Sequence, residues 1–173
     1  MIRELKFKML SQRYSDDVYR FSRSILGNAE DAEDATQEIL LKLWRNVSDV
    51  STMRARGWIM KTTRNHCLNM LRQRSRTAGV LSNGDGDLEG ITDENNPSAE
   101  AIFYGTELRS RIDAALDRLP EKLKSVFVLY EVNGLKYREI SECLDIPFNS
   151  VKVYLLRSRS RLKEILAQEV SDG

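Results

Sequence analysis

The sequence predicts an all-α chain: two small helical domains joined by a flexible acidic linker, the C-terminal one carrying a helix-turn-helix. Three observations carry that reading. Apolar residues recur at the 3.6-residue period along most of the chain, and no run alternates apolar and polar residues as a strand does. Residues 78–96 break that period with four Gly, several acids, Ser and Asn, which is linker composition. Near the C-terminus Pro147 stops a helical pattern, because it has no N–H and its ring clashes with the turn before it, and the period then resumes in a basic stretch. The boundaries that follow are a first domain over 1–76, a linker over 77–96 and a second domain over 97–173.

In the first domain, Tyr14, Val18, Phe21 and Ile25 step by four, three and four, predicting a helix over Ile2–Leu26. Gly27 suits its C-cap and Asn28 the N-cap of a second helix, Ala29 to Val47. That helix has acids in its first turns (Glu30, Asp31, Glu33, Asp34) and Lys42 and Arg45 later, the order its dipole favours. Leu40, Trp44 and Val47 form one apolar row and Ile39 and Leu43 another, so packing on more than one side is expected. Asp34, Gln37 and Glu38 share the remaining polar surface. A loop, Ser48 to Arg56, leads to a third helix over about Ala55 to Arg76. Its inner side is expected to carry Trp58, Ile59, Thr62, His66, Leu68 and Leu71.

Charge is sorted along the chain. From Arg54 to Arg76 there are seven Arg or Lys and no acid, and from Thr77 to Leu108 seven acids and no Arg or Lys. The formal net charge of +1 therefore hides strong local fields and does not argue against a nucleic-acid partner. A cationic helix with a Trp near its start suits nucleic acid, where phosphates supply affinity and aromatics hold bases. The plainer use of the same residues is a solvated helix face.

The second domain opens on a start signal, Asn96 as N-cap and Pro97 at the first helical position. A helix over Ser98 to Arg118 should yield at Leu119-Pro120 to another over Glu121 to Glu131, with Val126, Val128, Leu129 and Tyr130 apolar and a turn at Asn133-Gly134. From Tyr137, Ile140, Cys143 and Leu144 mark a short helix that ends in the turn Leu144 to Pro147. Asn149 or Ser150 is the expected N-cap of the last helix. Along that helix Val151, Leu155, Ser158, Leu162 and Ile165 form an inward stripe, with Lys152, Arg157, Arg159, Arg161 and Lys163 off it. Two helices, a tight turn and a basic second helix describe a helix-turn-helix, whose second helix enters a DNA major groove.

Other classes fit less well. One His and two Cys, Cys67 and Cys143, offer no zinc-ligand spacing, and both thiols are expected reduced and buried. No carboxylate cluster at metal spacing, phosphate-cradling Gly loop or nucleophile motif is present, so no catalytic residue, metal or cofactor is assigned and no enzymatic activity is expected. No run approaches the roughly 18 apolar residues that cross a bilayer. The first 17 residues are charged throughout, unlike a secretory signal, so a cytoplasmic chain without membrane insertion is expected.

Three segments in series, Asp31 to Asn46, Gly57 to Arg76 and Leu116 to Lys163, resemble the extracytoplasmic-function sigma factors, the minimal two-domain members of the sigma-70 family. The resemblance implies a dissociable subunit that binds core RNA polymerase and directs it to promoter DNA, both duplex and melted non-template strand. It implies that Asp34, Gln37, Glu38 and Lys42 dock on the polymerase. It places Ser48 to Arg56 and the helix from Trp58 at the minus-ten element, with Lys61, Arg64 and Asn65 at the matched positions and Arg54, Arg56 and Arg72 on the same cationic track. It makes the second domain the reader of the minus-thirty-five element, with Ser150 and Lys152 matched and Tyr137, Asn149, Val153, Tyr154, Arg157 and Arg159 on the same surface. An anti-sigma factor is a partner commonly found in this group.

The chain departs from the group's usual Gly-Thr-Val-Lys-Ser-Arg-Leu-His with Asn149-Ser150-Val151-Lys152-Val153-Tyr154-Leu155-Leu156, and it has Asp145 where the turn usually has Gly. Val153 and Tyr154 leave three uses open: contact with thymine methyls, a hydrogen bond from Tyr154, or a partner surface. The rival reading is a stand-alone helix-turn-helix regulator, which leaves Asp31 to Asn46 and Gly57 to Arg76 without a use.

Overall fold

A computed structural model of the chain describes residues 1–78 and 104–173. Among them are seven α-helices and no strand, in agreement with the predicted class. In chain order these are α1 (Ile2–Leu26), α2 (Ala29–Asn46), α3 (Ala55–Thr77), α4 (Tyr104–Asp117), α5 (Glu121–Phe127), α6 (Tyr137–Leu144) and α7 (Phe148–Ser171). The predicted start signal at Asn96-Pro97, and the predicted linker beyond Ala78, lie outside the described residues.

The α1–α2 corner is built as the caps foretell. Gly27 takes φ 83°, a left-handed conformation that costs glycine little, and its N–H donates to the Arg23 carbonyl. Asn28 Oδ1 accepts from the Asp31 N–H at 2.8 Å, satisfying a first-turn amide of α2. Helix α2 buries Ala32, Ala35, Ile39 and Leu43, and of the second expected row Val47, at its C-cap, is fully buried while Leu40 and Trp44 are not. Leu40 is half-buried and Trp44 is 37% exposed. Trp44 is held at the edge instead: Phe7 meets it edge-on at 5.3 Å between centroids, and the Arg3 guanidinium lies 4.6 Å over its ring.

The predicted loop after α2 contains a single 3₁₀ turn, Thr52–Arg54, and α3 begins directly after it. The buried face of α3 is Ala55, Ile59, Met60, Thr63, Cys67 and Leu68, so Trp58, Thr62, His66 and Leu71 are flanking, half-buried residues rather than the inner row. The shift arises because α3 packs on α1 and α2 on one side and on α6 on another, so no single stripe describes it. Its C-terminal end is fastened to the α1–α2 corner, where Arg74 pairs with Asp31 and donates to the Leu26 carbonyl at 3.2 Å.

The expected helix Glu121 to Glu131 is two pieces. After α5 the chain widens into a π turn over Val128–Val132, in which the Asn133 N–H reaches the Val128 carbonyl at 3.0 Å and the Leu135 N–H the Leu129 carbonyl at 2.9 Å. Val128 and Leu129 are both buried in this turn, and Gly134 at φ 67° follows it. Glu139 then accepts from the Lys136 N–H at 3.0 Å, fixing the start of α6.

Asp145 ends α6 at φ 52°, ψ 45°, a left-handed conformation that Asp visits more readily than most residues other than glycine. The last helix starts two to three residues earlier than expected: Pro147 stands at its N-cap, and Asn149 and Ser150 lie in its first turn. Pro147 fixes φ near the value a helix start needs, and the Ser150 N–H donates to its carbonyl at 2.9 Å, so no side-chain cap is required. The predicted stripe of α7, Val151, Leu155, Ser158, Leu162 and Ile165, is entirely buried.

One apolar cluster runs from α1–α3 (Val18, Phe21, Ile39, Ile59, Met60) without interruption into Val126, Leu129, Ile140, Val151 and Leu155 of the C-terminal half. A smaller cluster of Ala115, Leu116, Leu119, Leu162 and Ile165 holds α4 against α7. No helix among the described residues is long and apolar enough to cross a membrane.

Candidate nucleic-acid interface

Three surfaces carry the predicted site residues. The first is the outer face of α2. Residues 34, 37, 38 and 41 follow the spacing of a single helical face, with Asp34 and Gln37 exposed and Glu38 and Lys42 half-buried. At its centre is Leu41, 50% exposed, an apolar contact absent from the predicted set. Its signal was present in the period that joins it to Asp34 and Gln37. Behind this face His66 of α3 has its pKa lowered, first by burial and then by Lys42, with Glu38 acting in the opposite sense. His66 is therefore a neutral packing residue.

The second surface is the cationic side of α3, and here tertiary structure gives the side chains partners. Arg64 forms a two-pronged ion pair with Glu121 of α5: Nη2 donates to both carboxylate oxygens at 2.7 and 2.9 Å, and Nε donates to one at 3.1 Å. Ser125 donates to the same carboxylate at 2.6 Å. Lys61 Nζ meets Asp145, at the helix-turn-helix turn, at 2.9 Å. Arg56 donates to the Asn133 carbonyl and lies 3.8 Å from both Asp17 and Glu139. Trp58 is half-buried and packs against the apolar cluster. Arg54, Asn65 and Arg72 are exposed, although Arg72 donates to Asn69 at 3.3 Å. Of the seven residues predicted for this surface, Arg56, Lys61 and Arg64 are thus engaged by the C-terminal half.

The third surface is the start of α7. Asn149, Lys152, Val153 and Arg157 are exposed and Ser150 is half-buried, so these five stand together at the helix's outer N-terminal side. Leu156, 56% exposed, extends that face by one turn and was not among the predicted residues. Tyr154 is half-buried and packs against the core cluster. Tyr137 is half-buried in an aromatic row, 5.5 Å from Tyr130 and 6.3 Å from Phe148 between centroids. Arg159 is paired: its guanidinium contacts Glu131 and lies 5.5 Å over Tyr130, and the hydrogen bond to Glu131 raises its pKa further.

No group of three or more His, Cys, Asp or Glu poised to hold a metal occurs among the described residues. Burial pushes the Cys67 thiol up to about 11 and the Cys143 thiol up to about 12, which leaves neither poised as a nucleophile.

Comparison with known proteins places these surfaces in a family. Residues 10–77 match Sigma-70 region 2, and residues 109–162 match Sigma-70, region 4. The ECF RNA polymerase sigma factor SigE of Mycolicibacterium smegmatis is 32% identical over 94% of this chain, which spans 62% of that relative's length. SigM of Bacillus subtilis, also an ECF RNA polymerase sigma factor, is 26% identical over 93% of this chain and 95% of its own length. Among solved structures, the Bartonella quintana sigma factor RpoE, in complex with the anti-sigma factor NepR, shares the fold at a TM-score of 0.70. It covers 93% of this chain and 96% of that one at 19% identity. CnrH in complex with the cytosolic domain of CnrY shares it at a TM-score of 0.67, over 94% and 88% of the two chains at 20% identity. With region 2 and region 4 in series on one helical chain, and relatives aligned along nearly all of it, the chain belongs to the sigma-70 family as a member of its extracytoplasmic-function group.

Proposed function

We propose that the chain is a dissociable RNA polymerase subunit that docks through α2, holds the melted minus-ten strand along α3 and reads the minus-thirty-five duplex with the start of α7. The observation that carries this is the sorting of three chemistries onto three elements. A polar, acid-bearing helix face around Asp34, Gln37 and Glu38 fits a basic protein partner. Helix α3, with no acid along its length, fits a phosphate track. The exposed Asn149, Lys152, Val153, Leu156 and Arg157 supply amide, cationic and apolar contacts for a major groove. The domain division goes with this reading: residues 1–76 dock and melt, residues 97–173 read the duplex, and 77–96 join them. Such a chain works by binding, has no catalytic group of its own and acts where the polymerase is, in the cytoplasm. An anti-sigma factor is its regulatory partner class, as in the complex of RpoE with NepR.

The test is run-off transcription with core RNA polymerase on a pool of randomised promoters. Transcripts present only when the chain is added are expected, and their start regions will report both promoter elements. No transcripts, with no co-sedimentation of the chain and core polymerase, would return the stand-alone helix-turn-helix regulator as the better reading.

A further inference from the structure

The first turns of α1 carry an apolar stripe that packs on nothing else in the molecule. Ile2, Leu5 and Met9 follow the spacing of one helical face and are 86%, 70% and 44% exposed. The opposite side of the helix, through Phe7, Leu10, Tyr14 and Val18, holds α1 to the core, so the stripe faces away from that packing. Cations flank it on both edges, Lys6 and Arg13 on one and Lys8 on the other. Leu5, Lys8, Met9, Gln12 and Arg13 together line a shallow open depression. Glu4 is the only acid among residues 1–15, against Arg3, Lys6, Lys8 and Arg13, and it lies off the stripe. Arg3 is held at Trp44, to whose carbonyl it donates at 2.9 Å. Lys6, Lys8 and Arg13 have no acid partner among the described residues.

We infer that this face of α1 docks on an anionic lipid surface, where the helix lies at headgroup level without crossing the bilayer. The inference goes beyond the function proposed above and uses none of its contacts. Charge decides the class of occupant: an apolar ridge with cations on both flanks is drawn to a negative surface. A second copy of the chain fits poorly, because it would bring Lys6, Lys8 and Arg13 against their own kind. Side-chain type favours lipid over a protein groove. Protein interfaces anchor on Trp, Tyr and Arg in fixed geometry. This stripe is Ile, Leu and Met, and two of its three flanking cations are lysines. Lysines are flexible point charges that reach headgroups while their stems lie along the apolar layer. Exposure rises from Met9 to Leu5 to Ile2, so the ridge stands clear at the end that would enter the headgroup layer. No spanning helix is involved, and none occurs among the described residues. Three apolar residues and three cations make a weak, reversible contact that salt screens. Such a contact keeps part of the chain at the membrane surface and sets by mass action how much is free to meet other partners.

The experiment is co-flotation of the full chain with vesicles of phosphatidylcholine alone or of phosphatidylcholine and phosphatidylglycerol in equal parts. Two variants act on the patch. L5Q/M9Q removes the apolar ridge while keeping good helix formers, and K6Q/K8Q removes two flanking cations. A K152Q/R157Q control removes the same charge from the exposed start of α7. Circular dichroism checks that helix content is kept. The unsubstituted chain is expected to float with the anionic vesicles and not with phosphatidylcholine alone. L5Q/M9Q should bind about tenfold more weakly or worse, as for two partly inserted apolar side chains. K6Q/K8Q should lose about tenfold or more as well, and the control should stay close to the unsubstituted chain. No flotation with anionic vesicles would overturn the inference and leave a protein with an acid-rimmed groove as the occupant. Unchanged binding by L5Q/M9Q, with equal losses in K6Q/K8Q and the control, would also overturn it, by showing diffuse adsorption of cations from anywhere on the surface.

Discussion

Lys152 and Arg64 are both cations on predicted DNA-binding helices, and the structure gives them opposite circumstances. Lys152 projects from the first turns of α7 into solvent, whereas Arg64 is held by a carboxylate of the other half. Replacing Lys152 with Ala should weaken duplex binding and lower the slope of log affinity against log salt by about one, as for one lost phosphate contact. Anisotropy titrations at several salt concentrations measure it; an unchanged slope with altered sequence preference would make Lys152 a base reader. The two thiols offer a second test at this scale. With Cys67 pushed up to about 11 and Cys143 up to about 12, mainly by burial, the thiolate fraction near pH 8 is about one in a thousand or less. Both should resist a disulfide reagent in the folded chain and react at once in denaturant. Rapid labelling of the native chain would show that the α3–α6 region opens easily.

At the scale of elements, the caps and stripes were legible because they are local. Gly27, Asn28, the Asp145 turn and the buried row of α7 all depend on residues within a few positions of one another. Leu155, 1% exposed on that row, should cost about 2–5 kcal/mol when cut to Ala, measured by urea unfolding. Asn28→Ala, which removes one cap bond at an otherwise intact corner, should cost about 1 kcal/mol. A larger loss from the cap than from the core residue would contradict this account of what holds the helices. The two misread helices are instructive. Helix α3 packs against neighbours on two sides, so its buried set is not a single stripe, and the chain after α5 widens into a π turn that the apolar pattern does not announce. The packing of α3 on two sides is not written within the segment itself.

For the whole molecule, the decisive feature is that one apolar cluster crosses between the halves. Scanning calorimetry should therefore show one cooperative transition whose calorimetric and van't Hoff enthalpies agree. Two resolved transitions would mean that the halves unfold independently and that the seam contributes little to cohesion. The Arg64–Glu121 lock bridges 57 positions in sequence, and Arg56 to Asn133 bridges 77. Contacts of that separation leave no periodic trace, which is why the cationic run was visible and its occupant was not.

The sequence by itself determined the helical class, most helix starts and ends, the helix-turn-helix, the charge segregation and the family. Each rests on local backbone preference, on periodicity or on short residue patterns. Tertiary structure alone decided which cations are free. It leaves Lys152 and Arg157 in solvent and pairs Lys61, Arg64 and Arg159 with acids. The reason is that an ion pair depends on where two carbon chains meet in space, and two residues far apart in sequence are brought within 3 Å only by the packing of the helices that carry them.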